Sequence, residues 1–317
     1  MRHGTTYGSV CVLAAALLWG TTGTAAALAP DVGSLAVGAA AMGVGGLLQA
    51  AAAHRVVRAH RAGLAAQWRA LAGSAVAVAV YPLAFYSSMR LAGVAVGTVV
   101  SIGSAPMAAA LVERVVDRQP LSRCWVLGAA VGVLGVLALA LARAGGEAAT
   151  DGPGARAVVG VALGLLAGVT YALYSWGAAR VMRRGLPSRP VMGAVFGAGG
   201  VLLLPVLLLT GAPIVASWSN VAAVSYLAVV PMFLGYVLFG RGLSAVPAST
   251  ATSLSLLEPA VAAVIAVLVL HERLPVLGWA GMGVLLAGLV LLTADSRRPA
   301  ADPAGSPSTS RAPAVAP

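Results

Sequence analysis

The chain has 317 residues, 60% of them hydrophobic and 9% charged, with a mean hydropathy of +0.93 and a formal net charge of +11. A soluble domain carries about 25% charged residues, so this composition excludes a water-soluble fold. All 20 Lys/Arg positions are arginines lying in short segments between apolar runs, which reads as topology-setting charge and not as a nucleic-acid surface.

In chain order, apolar runs of about 20 residues, enough to span a bilayer, occupy residues 7–29, 33–53, 70–89, 92–112, 124–142, 157–178, 191–210, 219–240, 246–270 and 275–293. The predicted fold is an all-α polytopic membrane protein with ten transmembrane helices. Arg2 and the "ALA" at 27–29 imitate a signal peptide. The first run exceeds the about 7–15 residues of a signal h-region, and Pro30 would follow the cut directly, so it reads as a retained span. Residues 295–317, rich in Pro, Ala and Ser, cannot form a core and read as a disordered tail.

With the N-terminus inside, 16 of the 20 arginines fall in cytoplasmic segments, and only Arg90, Arg143, Arg156 and Arg273 fall outside. The positive-inside rule therefore predicts a multi-pass protein of the plasma membrane with both termini cytoplasmic.

The chain also repeats itself. At a fixed offset of 153, Pro106 falls on Pro259, Leu121 on Leu274, Gly128 on Gly281 and Gly135 on Gly288, with no gap. This divides the chain into a first five-helix repeat (1–143), a linker loop (144–156), a second five-helix repeat (157–294) and the tail. Five is odd, so the second repeat enters the membrane inverted, and inverted repeats build many secondary transporters around a midplane site. Gly160, Gly164 and Gly168 form a small-xxx-small pattern that lets helices approach closely.

Within the ninth span, "SLLEPAVAAVIAVLVLHERLP" (255–275) places Glu258 in an apolar run. A charged residue at a helix centre costs about 2.5–3.5 kcal/mol on the insertion scale, so Glu258 is expected to face the bundle interior. Pro259 lacks an N–H and would free the carbonyl of Ser255, which shares the face of Glu258 by i, i+3 spacing. Pro106 would do the same in the first repeat, with no acid beside it. Two readings of Glu258 stand: it takes part in transport through substrate contact or proton coupling, or it caps the broken turn. Trp19 with Gly20, Tyr81 before Pro82, and Tyr171 are candidate cavity-lining positions. Glu113 and Asp117, beside Arg114 and Arg118, read as solvated, as do His271 and Glu272 at the end of the ninth span.

"LLWGTTG" (17–23) and "LLEPAVAAVIAVLVLHERLPVLGWAGMGVLLAGLVLL" (256–292) resemble the drug/metabolite transporter superfamily, specifically a protein with two tandem EamA domains. In the first copy Ala105 replaces the Glu and Gln119 stands where Glu272 falls. The resemblance implies a ten-helix carrier, an exporter of amino acids or other small metabolites, with a cavity between its halves.

Enzyme chemistry finds no support. The spans hold one carboxylate, no histidine and no converging nucleophile and base. With no lysine there is no phosphate-binding GxxxxGK[ST] loop. Cys11 and Cys124 lack metal-ligand spacing. The expected partners are a small-molecule substrate and the lipid bilayer, with the proton as a candidate coupling ion. No nucleic acid, metal, cofactor or particular oligomeric state is indicated. A passive channel, or a non-transporting receptor or scaffold, is the alternative.

Overall fold

A computed structural model describes residues 2–92, 94–118, 122–144, 155–269 and 276–295. Most of the predicted linker loop (145–154) and tail (296–317), and the "HER" segment with Glu272, lie outside these, while Ala144, Ala155, Arg156 and Asp295 are helical. Among the described residues the chain is helical with no strand: α1 (Arg2–Trp19), α2 (Thr22–Ala27), α3 (Ser34–Ala59), α4 (Arg61–Ala66), α5 (Trp68–Ala92), α6 (Val94–Val116), α7 (Arg123–Ala144), α8 (Ala155–Arg183), α9 (Ser188–Thr210), α10 (Trp218–Leu227), α11 (Tyr236–Leu243), α12 (Ala248–Leu254), α13 (Leu257–Val269) and α14 (Val276–Asp295). A π-helical stretch, Ala228–Gly235, joins α10 to α11.

Seven of the described helical stretches are long and apolar enough to cross a membrane: Thr5–Ala27, Ser34–Ala59, Trp68–Ala92, Val158–Arg183, Ser188–Thr210, Trp218–Leu243 and Ala248–Ile265. Shorter apolar stretches lie at Arg123–Gly135 and Val276–Gly288. This is a polytopic membrane protein. Its outer apolar side chains fit lipid: Leu208 and Leu209 on α9 are 82% and 86% exposed, with no polar face beside them.

Three predicted spans are not single α-helices. The first is interrupted at Gly20–Thr21, the ninth at Ser255–Leu256, and the eighth passes through the π-helical stretch. Each interruption lies beside the cleft described below, which Trp19, Thr22, Met232, Tyr236 and Glu258 line.

Small residues set the helix contacts. The principal ones join α3 to α9, α7 to α14, and α8 to α5 and α6. Between α7 and α14, a Cβ added at Gly288 would stand 2.9 Å from the carbonyl oxygen of Gly128. The glycine pattern at 160, 164 and 168 seats α8: a Cβ at Gly160 would meet the backbone of Ala92, and one at Gly164 the hydroxyl of Ser88. Without a hydrophobic drive between helices in lipid, such close backbone approach supplies the packing.

The α3–α9 seam gives a test. A Cβ at Gly46 would run into the backbone carbonyl of Phe196, whereas one at Gly23 would meet nothing within 4 Å among the described residues. Gly46→Val is expected to destabilise the protein by about 1–3 kcal/mol through overpacking, and Gly23→Ala to leave it unchanged. Thermal unfolding of the detergent-purified variants checks the pair.

Candidate functional site

The site is assembled where the interrupted spans meet. Trp19, the last residue of α1, is 4% exposed and donates its Nε1–H to the carbonyl of Pro231 at 2.9 Å. That carbonyl lies in the π-helical stretch, where the i→i+5 register and the missing N–H of a proline rearrange the usual ladder. The next carbonyl, of Met232, accepts a 3.4 Å hydrogen bond from Gln49 on α3. Gly235 makes room for the indole: a Cβ there would sit 2.7 Å from Trp19 Nε1.

Around Trp19 the aromatic side chains form a continuous group. The Trp19 ring centroid is 4.9 Å from Tyr236 and 6.3 Å from Tyr171. Tyr81 lies 5.6 Å from Tyr171 and stacks on Phe85 at 5.6 Å. Tyr174 and Tyr236 share a 2.8 Å hydroxyl–hydroxyl hydrogen bond beneath them. Edge-on and offset contacts of this kind add about 0.5–1.5 kcal/mol per pair beyond burial and hold the rings in fixed orientations.

The break between α12 and α13 brings the acid in. Tyr171 donates from its hydroxyl to Ser255 Oγ at 3.0 Å, and Ser255 donates in turn to the Thr252 carbonyl at 2.7 Å. Glu258 is the second residue of α13, and its backbone N–H donates to the carbonyl of Ser255 at 3.0 Å. The expectation that Pro259 leaves this carbonyl free is therefore corrected. Pro259 occupies the first turn of α13, where an N–H has no intrahelical partner to lose, and the break itself falls at Ser255–Leu256.

These elements line a narrow cleft whose cavity volume is about 20 Å³, room for about one water molecule in this conformation. The first half of the chain contributes Trp19, Thr22, Tyr81, Phe85 and Tyr86, and the second half Tyr171, Met232, Tyr236 and Glu258. Among the described residues lining it, Glu258 carries the only ionisable group other than tyrosine. Of the positions singled out in the sequence, Trp19, Tyr81, Tyr171 and Glu258 face one cleft, and Ser255 is one hydrogen bond from it. Gly20, Pro106 and Pro259 do not line it. Gly20 instead lets α1 approach α13, a Cβ there falling 2.5 Å from Val261. Pro106 sits inside α6, beside fully buried Ala105. Tyr86, Phe85 and Tyr236 line the cleft without having been singled out. Pro231 in "VVPMFLGY" was the available signal for the last of these.

Two carboxylates expected in solvent lie elsewhere. Glu113, in the last turn of α6, is 2% exposed, and its Oε1 accepts hydrogen bonds from the backbone N–H groups of Ala248 (2.8 Å) and Ser249 (3.3 Å). These are the first two residues of α12, whose N-cap, Pro247, has no side-chain oxygen to offer. Glu113 thus caps α12 from another helix. One turn on, Asp117 accepts from Trp176 Nε1 (2.8 Å) and pairs with Arg183 (2.8 Å) and with Arg180, which stacks 5.1 Å over the Trp176 ring. Both carboxylates join the end of α6 to the second half of the chain.

Comparison with known proteins yields a consistent set of matches. The profile described as the EamA-like transporter family matches residues 6–141 and again residues 158–294. The uncharacterized transporter YwfM of Bacillus subtilis is 32% identical over 292 residues, covering 92% of this chain and 95% of its own. The uncharacterized inner membrane transporter YicL of Salmonella typhimurium is 31% identical over 109 residues, covering 34% of this chain and 36% of its own. One solved crystal structure superimposes with a TM-score of 0.75 at 20% identity, covering 92% of this chain and 98% of that one, a likeness of fold.

Proposed function

This chain belongs to the EamA-like transporter family, and from that premise we propose that it is a secondary carrier of the plasma membrane working by alternating access. Its family and relatives point to membrane transport of the drug/metabolite type and not to catalysis. The proposed activity is export of small metabolites or amino acids through the cleft between the two matched halves. The observation that carries the reading is Glu258: a lone carboxyl at a helix break, facing a cleft walled by both halves.

The proposed architecture is ten transmembrane helices as two inverted five-helix repeats. Pairing of corresponding spans supports it: the second span packs on the seventh (α3 on α9) and the fifth on the tenth (α7 on α14), as a two-fold-related pair would. The distribution of contacts supports alternation. The cleft is lined by residues of the bundle centre and of the arginine-poor half, such as Thr22 and Gly38. On the arginine-rich face, Glu113 and Asp117 tie α6 to α12 and α8. A carrier closed on one face and cleft-bearing toward the other has this appearance.

Reporter fusions test the orientation. A reporter after Ser296 is expected to read as cytoplasmic and one inserted near Gly152 as external; both on one side would remove the inverted repeat. Growth of cells overexpressing the protein, challenged with a panel of amino acids, metabolites and amphiphiles, is expected to reveal its substrates as compounds whose toxicity falls.

A further inference from the structure

The ends of α6 and α8 form a second recess, which shares no residue with the cleft. We propose that it binds one anionic phospholipid, with the phosphate on Arg183 and Arg184 and an acyl chain along α6. This inference does not depend on the carrier reading.

The recess has a volume of about 390 Å³ and is lined by Val116, Asp117, Arg180, Arg183 and Arg184. The three arginines stand at i, i+3 and i+4, so their like charges share one helix face and repel. Asp117 is the one carboxylate against them, pairing with Arg180 and, at 2.8 Å, with Arg183. Glu113, one turn earlier, is turned away to cap α12. The lining therefore holds three positive charges against one negative and lacks a counter-anion. Donors for that anion are present. Arg183 engages Asp117 through Nη2, and Arg184 engages Gln67 Oε1 through Nη1. Each guanidinium carries five N–H groups in a fork that matches a phosphate, so both arginines keep donors to offer.

The depth of the recess favours a lipid over a dissolved anion. The span Val158–Arg183 ends within it. Indole rings, which gather at headgroup level, flank it. Trp176 donates to Asp117 at 2.8 Å, and exposed Trp68 follows the Gln67 that holds Arg184. From the recess an apolar strip runs along α6. It begins at Ser104, which packs so closely on α8 that a Cβ at Gly168 would run into its hydroxyl. Met107, Leu111 and Val115 follow at successive turns, all exposed. Arg114 and Arg118, also exposed, continue the face at i+3 and i+7 from Leu111. A phosphodiester held by the arginines would lay its acyl chain against this strip. The headgroup is anionic because a choline or ethanolamine would bring its own cation up to the arginines, whereas phosphatidylglycerol brings an uncompensated charge.

The test uses the full-length protein purified in detergent and dioleoylphosphatidylglycerol. Dioleoylphosphatidylcholine matches its chains and phosphate without the net charge, and sodium phosphate is the free anion. Native mass spectrometry is expected to retain one phosphatidylglycerol per protein, bound about tenfold or more tighter than phosphatidylcholine. The thermal midpoint is expected to rise with phosphatidylglycerol and to stay unchanged with phosphate. Arg183→Gln with Arg184→Gln is expected to weaken the lipid about tenfold or more. Arg55→Gln with Arg58→Gln, which removes two exposed arginines near the end of α3, is expected to keep it. On the wild-type protein, phosphatidylglycerol carrying a diazirine in its acyl chain is expected to crosslink to residues 107–118. This last arm decides the matter without any substitution, should the first double variant fail to fold. Equal retention of the two lipids, an equal rise with phosphate, or crosslinks spread over other helices overturns the assignment. Full affinity in the first double variant, or equal loss in both, does the same and leaves only diffuse surface charge.

Discussion

Replacing Glu258 with glutamine is expected to lower transport at least several-fold while the protein still inserts and folds. The exchange keeps the shape of the side chain and removes its charge and its proton. Losing a carboxyl inside a bundle relieves desolvation and does not add to it, so loss of activity would not come from loss of protein. The cleft geometry gives the change its weight, since no other lining residue among those described can hold a carboxylate's charge. Any pH dependence of wild-type transport across roughly pH 5 to 8 that arises at Glu258 is expected to disappear in the variant, because a glutamine side chain does not titrate. Glu258→Asp should fall between the two: it keeps the acid but withdraws it by one methylene, and small displacements matter at a site. Glu272→Gln, near the end of the same span, serves as the control and is expected to change little. Transport at the wild-type level in Glu258→Gln over that pH range would reduce Glu258 to a cap of the first turn of α13.

The second large effect is expected at Glu113. Alanine there leaves the N–H groups of Ala248 and Ser249 without their acceptor at a buried helix end, at a cost of about 1–3 kcal/mol. It also removes a carboxylate from the positive end of α12. The damage should reach the cleft, because α12 ends at Leu254 and the next residue is Ser255, which anchors Tyr171. Glu113→Ala is therefore expected to lower both the thermal midpoint in detergent and the transport rate. Glu113→Gln, which keeps an acceptor oxygen, is expected to recover most of the midpoint. Wild-type stability and transport in the alanine variant would show that the contact does not hold α12.

The contrast between these two glutamates marks how far the sequence can be read. Glu258 stands in an apolar run, and the energetic cost of a charge there is enough to turn it toward the bundle interior. Glu113 stands in "ERVVDR", where flanking arginines suggest a solvated charge run. Its partners lie 135 and 136 residues away, beyond any local pattern. The i, i+4 spacing of Glu113 and Asp117 is the one trace of a shared face. The spans follow from uninterrupted hydropathy, and Gly160, Gly164 and Gly168 foretell a close contact but not that α5 and α6 are the partners. The interruption of the eighth span escapes a sequence reading for a similar reason. A proline inside an apolar run signals a weakened ladder, but the π-helical stretch at Pro231 depends on Trp19, 212 residues away, to take up its carbonyl.

The central claim is that this cleft belongs to a carrier, and counterflow tests it most directly. Purified protein is placed in proteoliposomes preloaded with an unlabelled compound selected by the growth panel, and uptake of the same compound in labelled form is followed from outside. A carrier working by alternating access is expected to show uptake stimulated several-fold by the internal compound, with the stimulation lost in Glu258→Gln. Uptake that proceeds at the same rate into empty and preloaded vesicles would contradict the account and point to a passive pore.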